Sequence, residues 1–332
     1  MNKHAFTQFF LVAIFALGAF AEMPEWRPAE RWCGFNLLGM FTKRIPAQAP
    51  KSDPTFSRSP GHFAEEEFKW IRDWGFNFVR LPLDYRLWIK DGDWNKIDEE
   101  ALKPLDEAIT FGRKYGMHVQ MCLHRAPGYC INPPAEPGDL FRDPKALAVF
   151  VKHWEFFARR YRDIPNESLS FDLLNEPENH SEAEIATAFR TTVEAIRKVD
   201  SERFIMLNGH SCGRRPYVSL GRLHNVGFSM RGYEPFNISH YKAEWWNPPP
   251  TQEPVWPPKG TDGRSWLEAN VFSHWKKSLG RGDFVMANEF GCYRHTPHAV
   301  VLAWMEDELR LWREKNMGWA IWNLRGPFGI PD

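Results

Sequence analysis

The stretch Ser170-Phe171-Asp172-Leu173-Leu174-Asn175-Glu176-Pro177 decides how this chain is read. Its β-favouring run can pair on both sides inside a buried parallel sheet, and Pro177, which cannot donate to a ladder, forbids continuing it. Asn175 and Glu176 are thereby left at the strand's exit. A second stretch repeats the logic, Phe284-Val285-Met286-Ala287 running into Asn288-Glu289-Phe290-Gly291. Two carboxylates at the C-terminal ends of two different buried strands form a natural pair of general acid and nucleophile.

Outward from these two stretches, short apolar runs alternate with longer amphipathic ones, the pattern of repeated βα units. Eight runs read as strands: Trp32 to Leu38, Phe76 to Leu81, His118 to Leu123, Leu169 to Leu174, Arg203 to Leu207, Val226 to Met230, Phe284 to Ala287 and Met317 to Trp322. Helices are predicted over Ala64 to Trp74, Ile97 to Tyr115, Pro144 to Tyr161, Glu182 to Val199, Ser265 to Ser278 and Pro297 to Lys315, with a short link near Tyr217 after the fifth strand. In the first helix Phe63, Phe68, Ile71 and Trp74 recur at helical spacing, acidic residues crowd the first turn, and Gly75 ends it. Asp143 is a cap for the Pro144 helix, with proline in the first position. Eight strands alternating with helices fit an α/β fold, a closed (β/α)8 TIM barrel, better than an open doubly wound sheet. No Gly-x-Gly-x-x-Gly follows the first strand to mark a dinucleotide site. The eighth strand ends at Trp322, too close to the end of the sequence for a final helix, so the barrel is expected to lack that helix and to expose one side of strands one and eight.

Lys plus Arg equals Asp plus Glu at 42 each, so no net field draws the chain to nucleic acid or an anionic membrane. Aromatic residues make up 15%, with 16 Trp, many of them in polar or proline-rich segments, where flat rings suit the apolar faces of sugars. Lys3 followed by the apolar run Phe9 to Phe20 and by Ala19-Phe20-Ala21 reads as a signal peptide over residues 1–21, the run being shorter than the roughly 20 residues that span a bilayer. A single catalytic domain over residues 22–332, working outside the cytoplasm as a monomer, is the expectation. Five cysteines, Cys33, Cys122, Cys130, Cys212 and Cys292, leave at least one thiol unpaired. Without Cys-x-x-Cys or His-Glu-x-x-His, nothing points to a metal or another cofactor.

The remaining strand exits carry Arg80-Leu81-Pro82, His124-Arg125, Arg231-Gly232-Tyr233 and Trp322-Asn323. With Asn-Glu-Pro after strand four and Glu-Phe-Gly after strand seven, in register with Arg80 and Trp322, the sequence resembles glycoside hydrolase family 5, the cellulase-type members of the retaining clan built on (β/α)8 barrels. The resemblance runs from Gly34 to about Gly329. It implies Glu176 as acid/base, Glu289 as nucleophile and Asn175 as the amide that contacts the sugar 2-hydroxyl. It also implies Arg80, His124 and Tyr233 as supports and Trp322 as the platform under the reacting sugar.

The residues alone support the division of labour. A retaining pair needs one carboxyl ionised and one protonated, and Arg80 with the Tyr233 hydroxyl beside Glu289 would favour its charge, while that anion would keep Glu176 protonated. Two positions depart from the family pattern: Arg231 stands where His is usual, a permanent charge that cannot exchange protons, and Asn288 stands where Gly is common. Arg231 is kept as a site residue without a histidine's function, and His240 is too far along the sequence to substitute. Trp245 and Trp246, framed by Pro248-Pro249-Pro250 after strand six, are candidates to stack on sugar units, as are Trp88 and Trp94 after strand two.

These readings lead to a retaining endo-acting hydrolase of β-linked glucan, with a polysaccharide or oligosaccharide as its partner. Two others stay open: a β-mannanase or exo-glucosidase with the same catalytic set, and a carbohydrate-binding barrel without activity.

Overall fold

The structure, a computed structural model, describes residues 25–42 and 60–330. The signal-peptide reading falls on residues 1–21 and lies outside them. Eight parallel strands close into a barrel: β1 (Cys33–Asn36), β2 (Phe78–Asp84), β3 (His118–Ala126), β5 (Leu169–Asp172), β6 (Ile205–Asn208), β7 (Val226–Gly232), β8 (Phe284–Phe290) and β9 (Gly318–Ile321). The short β4 (Tyr129–Cys130) folds back antiparallel on the end of β3. Closure comes from β1, which pairs with β2 on one side and β9 on the other. The chain runs extremely close at that seam: a Cβ on Gly34 would stand 1.7 Å from the Phe78 carbonyl oxygen, so only glycine fits.

Helices α1 (Glu65–Asp73), α2 (Lys103–Lys114), α3 (Pro144–Arg160) and α4 (Glu182–Arg197) follow β1, β2, the β3–β4 pair and β5 in turn. After β6 comes only the four-residue α5 (His210–Gly213). After β7 come α6 (Phe236–Ser239), α7 (Gly263–Leu267), a π-helical turn over Glu268–Phe272, and α8 (Ser273–Gly280). The last helix is α9 (His298–Glu314). Local chemistry sets their ends. Asp143 accepts from the Lys145 amide at the start of α3, with Pro144 in the first turn, and Ser181 and Glu184 form a reciprocal capping box at α4.

Strand alternation divides the core in two. Val79, Leu81, Val119, Met121, Phe171 and Leu207 point outward into one large apolar layer beneath the helices. Inward, Trp32, Phe78, Phe204, Met206, Met286 and Ala320 plug the N-terminal end of the barrel. His118 is stacked in that plug, 3.8 Å from the Trp32 ring. One strand period further along, the interior turns polar, with Asn36, Arg80, Gln120, Asp172, Asn208 and Asn288 all buried. The apolar plug makes that polar layer the floor of a site open only towards the strands' C-terminal ends.

The outer face of β1 and β9 is closed by aromatic rings rather than left bare, contrary to the sequence expectation. Phe35 meets Phe76 edge-on at 5.2 Å, Phe76 meets Trp319 at 5.5 Å, and Trp319 meets Phe290 at 5.6 Å. Phe76 is partly buried, and Trp74, just past the end of α1, is the exposed ring of the group, meeting Phe35 in a T-shaped contact at 6.0 Å. All five cysteines are among the described residues and all are free thiols, Cys122 fully buried.

Candidate active site

Two buried arginines organise the mouth of the barrel. Arg80, inward on β2, sends Nε to Asp172 Oδ2 (2.9 Å), Nη1 to Asn36 Oδ1 (2.9 Å) and Glu289 Oε1 (2.5 Å), and Nη2 to Cys122 Sγ (2.9 Å) and Asn175 Oδ1 (2.9 Å). Arg231 comes from β7, where a register shift between Met230 and Arg231 turns its side chain inward beside Glu289, its neighbour on β8. Its Nε reaches Glu176 Oε1 (2.8 Å), Nη1 reaches Asn288 Oδ1 (2.5 Å) and Ser229 Oγ (3.2 Å), and Nη2 lies 2.6 Å from both Asn175 Oδ1 and Asn208 Oδ1 and 3.2 Å from Glu289 Oε1. Every N–H of both guanidiniums is thus taken by a protein acceptor.

This frame fixes which atoms face the cleft. Glu289 Oε1 accepts from both arginines, whereas Oε2 meets only the Tyr233 hydroxyl, at 3.3 Å. Asn175 Oδ1 is also shared by both arginines, which leaves its Nδ2 to donate outward; the nearest protein atom, His124 Nε2 at 3.5 Å, is itself a donor and takes no hydrogen bond from it. His124 Nε2 is 2.8 Å from Asn132 Oδ1, and as the donor there it leaves Nδ1 an acceptor without a protein partner. Burial lowers the His124 pKa to about 4, so its ring is neutral.

The two carboxyl groups are pushed in opposite directions. Burial opposes the charge on Glu289, but Arg231 and Arg80 outweigh it and hold the group below the ordinary carboxylate range. Burial raises Glu176 above that range, and the neighbouring Arg231 only partly offsets it. Glu176 keeps 18% of its side chain exposed and presents Oε2 to the opening, Oε1 being held by Arg231. Its backbone sits in the left-handed region at φ 45°. Tyr129 secures that turn from β4: its hydroxyl donates to the Glu176 carbonyl at 2.6 Å and accepts from the Glu178 amide at 2.9 Å.

The structure brings Glu176, Glu289, Arg80, Arg231, Asn175, His124 and Tyr233 together as the sequence placed them. Trp322 joins them as a wall, 7% exposed, stacked near His124 at 5.6 Å and edge-on to Phe41 at 5.4 Å. Trp245 packs edge-on against Tyr293 at 4.8 Å, while Trp246 is 46% exposed. His240 stacks on Phe236 at 4.0 Å and meets the Tyr233 ring at 5.2 Å, so it lines the outer wall rather than touching a carboxylate. Trp88 is wholly buried, with Nε1 donating to His153 Nδ1 at 3.2 Å, and Trp94 packs against the same core; Trp88 therefore cannot stack on a sugar. The space beside that loop is filled by α3, which claims the ring.

Sequence reasoning gave no role to Asp172, Asn208 or Tyr129. Asp172 accepts from Arg80, from Asn208 Nδ2 (2.5 Å) and from Asn288 Nδ2 (2.8 Å), and so ties the two departures and the arginine frame together. A charge in the middle of a buried strand is the signal that could have found it, since such a charge demands a partner. A separate cavity of about 1310 Å³ opens at the other end of the barrel, around Arg31, Phe284 and Met317, and contains none of these groups.

An eight-stranded parallel barrel with two carboxyl groups facing each other across its C-terminal mouth is the architecture of barrel glycosidases. Residues 52–326 match the family Cellulase (glycosyl hydrolase family 5), and the chain belongs to that family. It is similar to Endoglucanase C of Acetivibrio thermocellus, 30% identical over 189 residues that cover 54% of this chain and 53% of that one. It is likewise similar to Cellodextrinase A of Ruminococcus flavefaciens, 30% identical over 218 residues, covering 64% and 61%. The chain thus spans about half the length of the curated relatives it matches. A crystal structure of a glycoside hydrolase superposes with a TM-score of 0.81 at 34% identity, covering 90% of both chains.

Proposed function

We propose that this protein hydrolyses β-linked glucan as a retaining endo-β-1,4-glucanase, through a covalent glycosyl-enzyme intermediate. The observation that carries the reading is the unequal treatment of the two carboxyls, Glu289 pinned as an anion through Oε1 and Glu176 held towards its protonated form. In the first step Glu289 Oε2 attacks the anomeric carbon, the bond to the leaving oxygen breaks, and the Glu176 proton passes to that oxygen. Esterified Glu289 no longer repels a second charge, so Glu176 accepts a proton from water. That water attacks the anomeric carbon and Glu289 leaves as carboxylate. A single guanidinium reaching both carboxyls supports the short spacing of about 5–5.5 Å that retention requires, rather than the wider gap that admits a water between them.

In this reading Asn175 Nδ2 donates to the sugar 2-hydroxyl, His124 Nδ1 accepts from a neighbouring hydroxyl and Trp322 lies under the ring, roles supported by the occupied Asn175 Oδ1, the unpartnered His124 Nδ1 and the Trp322 ring beside His124. Export on a signal peptide over residues 1–21 accords with a substrate too large to enter a cell. The test is product release from β-glucans, xyloglucan and β-mannan, with Glu289→Gln as control. A ladder of oligosaccharides from β-1,4-glucan, lost by at least ~10³-fold in the control while ligand binding survives, supports the reading. Release of a terminal sugar alone would refute endo action, and preference for mannan would reassign the substrate.

A further inference from the structure

The guanidinium of Arg231 lies between the two carboxyls in a position the proposed chemistry does not use. It donates to Glu176 Oε1 and lies within reach of Glu289 Oε1, and its remaining donors go to Asn175, Asn208, Asn288 and Ser229. With no donor free, it has nothing to offer a substrate hydroxyl. Its stem rests on an uncommon backbone. Ser211, Cys212 and Gly213 are consecutive left-handed residues, at φ 54°, 54° and 75°. A Cβ on Gly213 would stand 2.8 Å from Arg231 Cγ and 3.3 Å from its amide nitrogen. The same turn holds the loop after Glu176, the Cys212 amide donating to the Pro177 carbonyl at 3.3 Å and its thiol to Glu178 Oε2 at 3.1 Å. One short left-handed turn therefore seats the guanidinium and the acid/base loop together, at the energetic cost such backbone carries.

We propose that Arg231 is a positioning residue that sets the working pH of the acid/base: a fixed cation, seated by the Ser211-Cys212-Gly213 turn, that ties Glu176 to Glu289 and favours the ionised form of Glu176. This rests on the assignment of Glu176 as acid/base made above. A permanent charge at hydrogen-bond distance lowers the pH at which Glu176 holds its proton. It also remains beside Glu176 after Glu289 is esterified, when Glu176 must act as an anionic base. The other charges facing the pair are Arg80 from β2, which shares Glu289, and Asp172 from β5, which neutralises Arg80 from behind. The remaining titratable neighbours are His124, which is neutral, and the Tyr233, Tyr129 and Cys212 groups, whose pKa values burial raises. Arg231 is thus the one positive group among the described residues in hydrogen-bond contact with Glu176.

The experiment follows the Glu176 carboxyl directly, by ¹³C NMR titration of the folded protein with the resonance assigned by Glu176→Gln, alongside the pH profile of kcat/KM. In Arg231→Met the Glu176 midpoint is expected to rise by about 1–3 pH units, carrying the alkaline limb of activity with it. Arg231→Lys, which keeps the charge, should stay close to the parent. Gly213→Ala, which displaces the guanidinium without removing it, should move the midpoint the same way by less, and it stands in for Arg231→Met if that variant does not fold. An unmoved midpoint in Arg231→Met and Gly213→Ala overturns the proposal, as does an equal rise in Arg231→Lys. Because the titration needs no turnover, an enzyme inactive on every β-glycan would refute the assigned function while leaving this test able to succeed or fail.

Discussion

Arg80 and Asp172 face each other inside the barrel with Nε 2.9 Å from Oδ2, and neither side chain has any exposure. The pair stands directly beneath Glu289, which Arg80 also holds. Removing one partner of such a pair leaves a buried charge short of its counter-ion, a loss of about 3–5 kcal/mol. Asp172→Ala is therefore expected to lower unfolding free energy by that amount in urea titrations and to reduce turnover even where the protein stays folded. A loss below about 1 kcal/mol would mean that Glu289 alone suffices for Arg80.

Tyr129 holds the turn that aims Glu176, through one hydroxyl bonded to the Glu176 carbonyl and the Glu178 amide. Tyr129→Phe leaves both backbone groups unpaired and is expected to destabilise by about 1–3 kcal/mol. Its kinetic mark separates aim from mere stability. Hydrolysis of β-glucan, whose leaving group needs a proton, should fall about 10-fold or more, while an aryl glycoside with a good leaving group should be little affected. Equal losses on both substrates would argue that Tyr129 supports the fold without aiming the acid.

Glu308 on α9 is 1% exposed, and neither carboxyl oxygen meets a protein partner. Burial pushes its pKa well above the ordinary carboxylate range, reinforced by Asp307 and Glu234. A carboxyl whose folded pKa exceeds its unfolded value of about 4.3 gives its full stability below that value and loses it as pH rises towards the folded pKa. The parent protein should therefore weaken from about pH 4.3 upward, by as much as ~1.4 kcal/mol per pH unit from this group. Glu308→Met should flatten the slope, so that the variant gains on the parent between pH 5 and pH 8. Parallel urea midpoints for the two proteins across that range would show that Glu308 does not govern the loss.

The meeting of Glu176 and Glu289 in one site was legible in the sequence because a strand that stops at Pro177 must present Asn175 and Glu176 at its end, and the barrel then brings every such end to one mouth. What escaped reading lies one layer lower or comes from side chains acting across the sequence. Asp172 passed for part of an apolar run because strand pairing hides its inward side from any one-dimensional pattern. Tyr129 acts through a hydroxyl on backbone 47 residues away, and a two-residue strand leaves no periodic trace. Arg231 was visible as an anomaly, but only the register shift in β7 shows that its charge turns inward onto both carboxyls.

Composition could not separate the tryptophans, since a ring in a proline-rich loop can serve packing or a ligand equally well. Their surroundings do separate them. Trp245 belongs to the aromatic cluster around Tyr293, Phe328 and Trp322, with the Tyr293 ring 4.8 Å away, whereas Trp246 leans on Phe236 at 4.7 Å and leaves 46% of its surface open. Trp245→Ala should thus act on stability, costing about 2 kcal/mol for a half-buried ring. Trp246→Ala should leave stability within about 0.5 kcal/mol and act on the substrate. An aromatic stacking contact of about 0.5–1.5 kcal/mol corresponds to a KM for long β-glucan raised roughly 2- to 13-fold, with kcat unchanged. Oligosaccharides too short to reach the loop should show no change, because the contact lies away from the cleaved bond. If KM for Trp246→Ala stays at the parent value for every chain length, the loop after β7 holds no sugar, and the open face of Trp246 is surface alone.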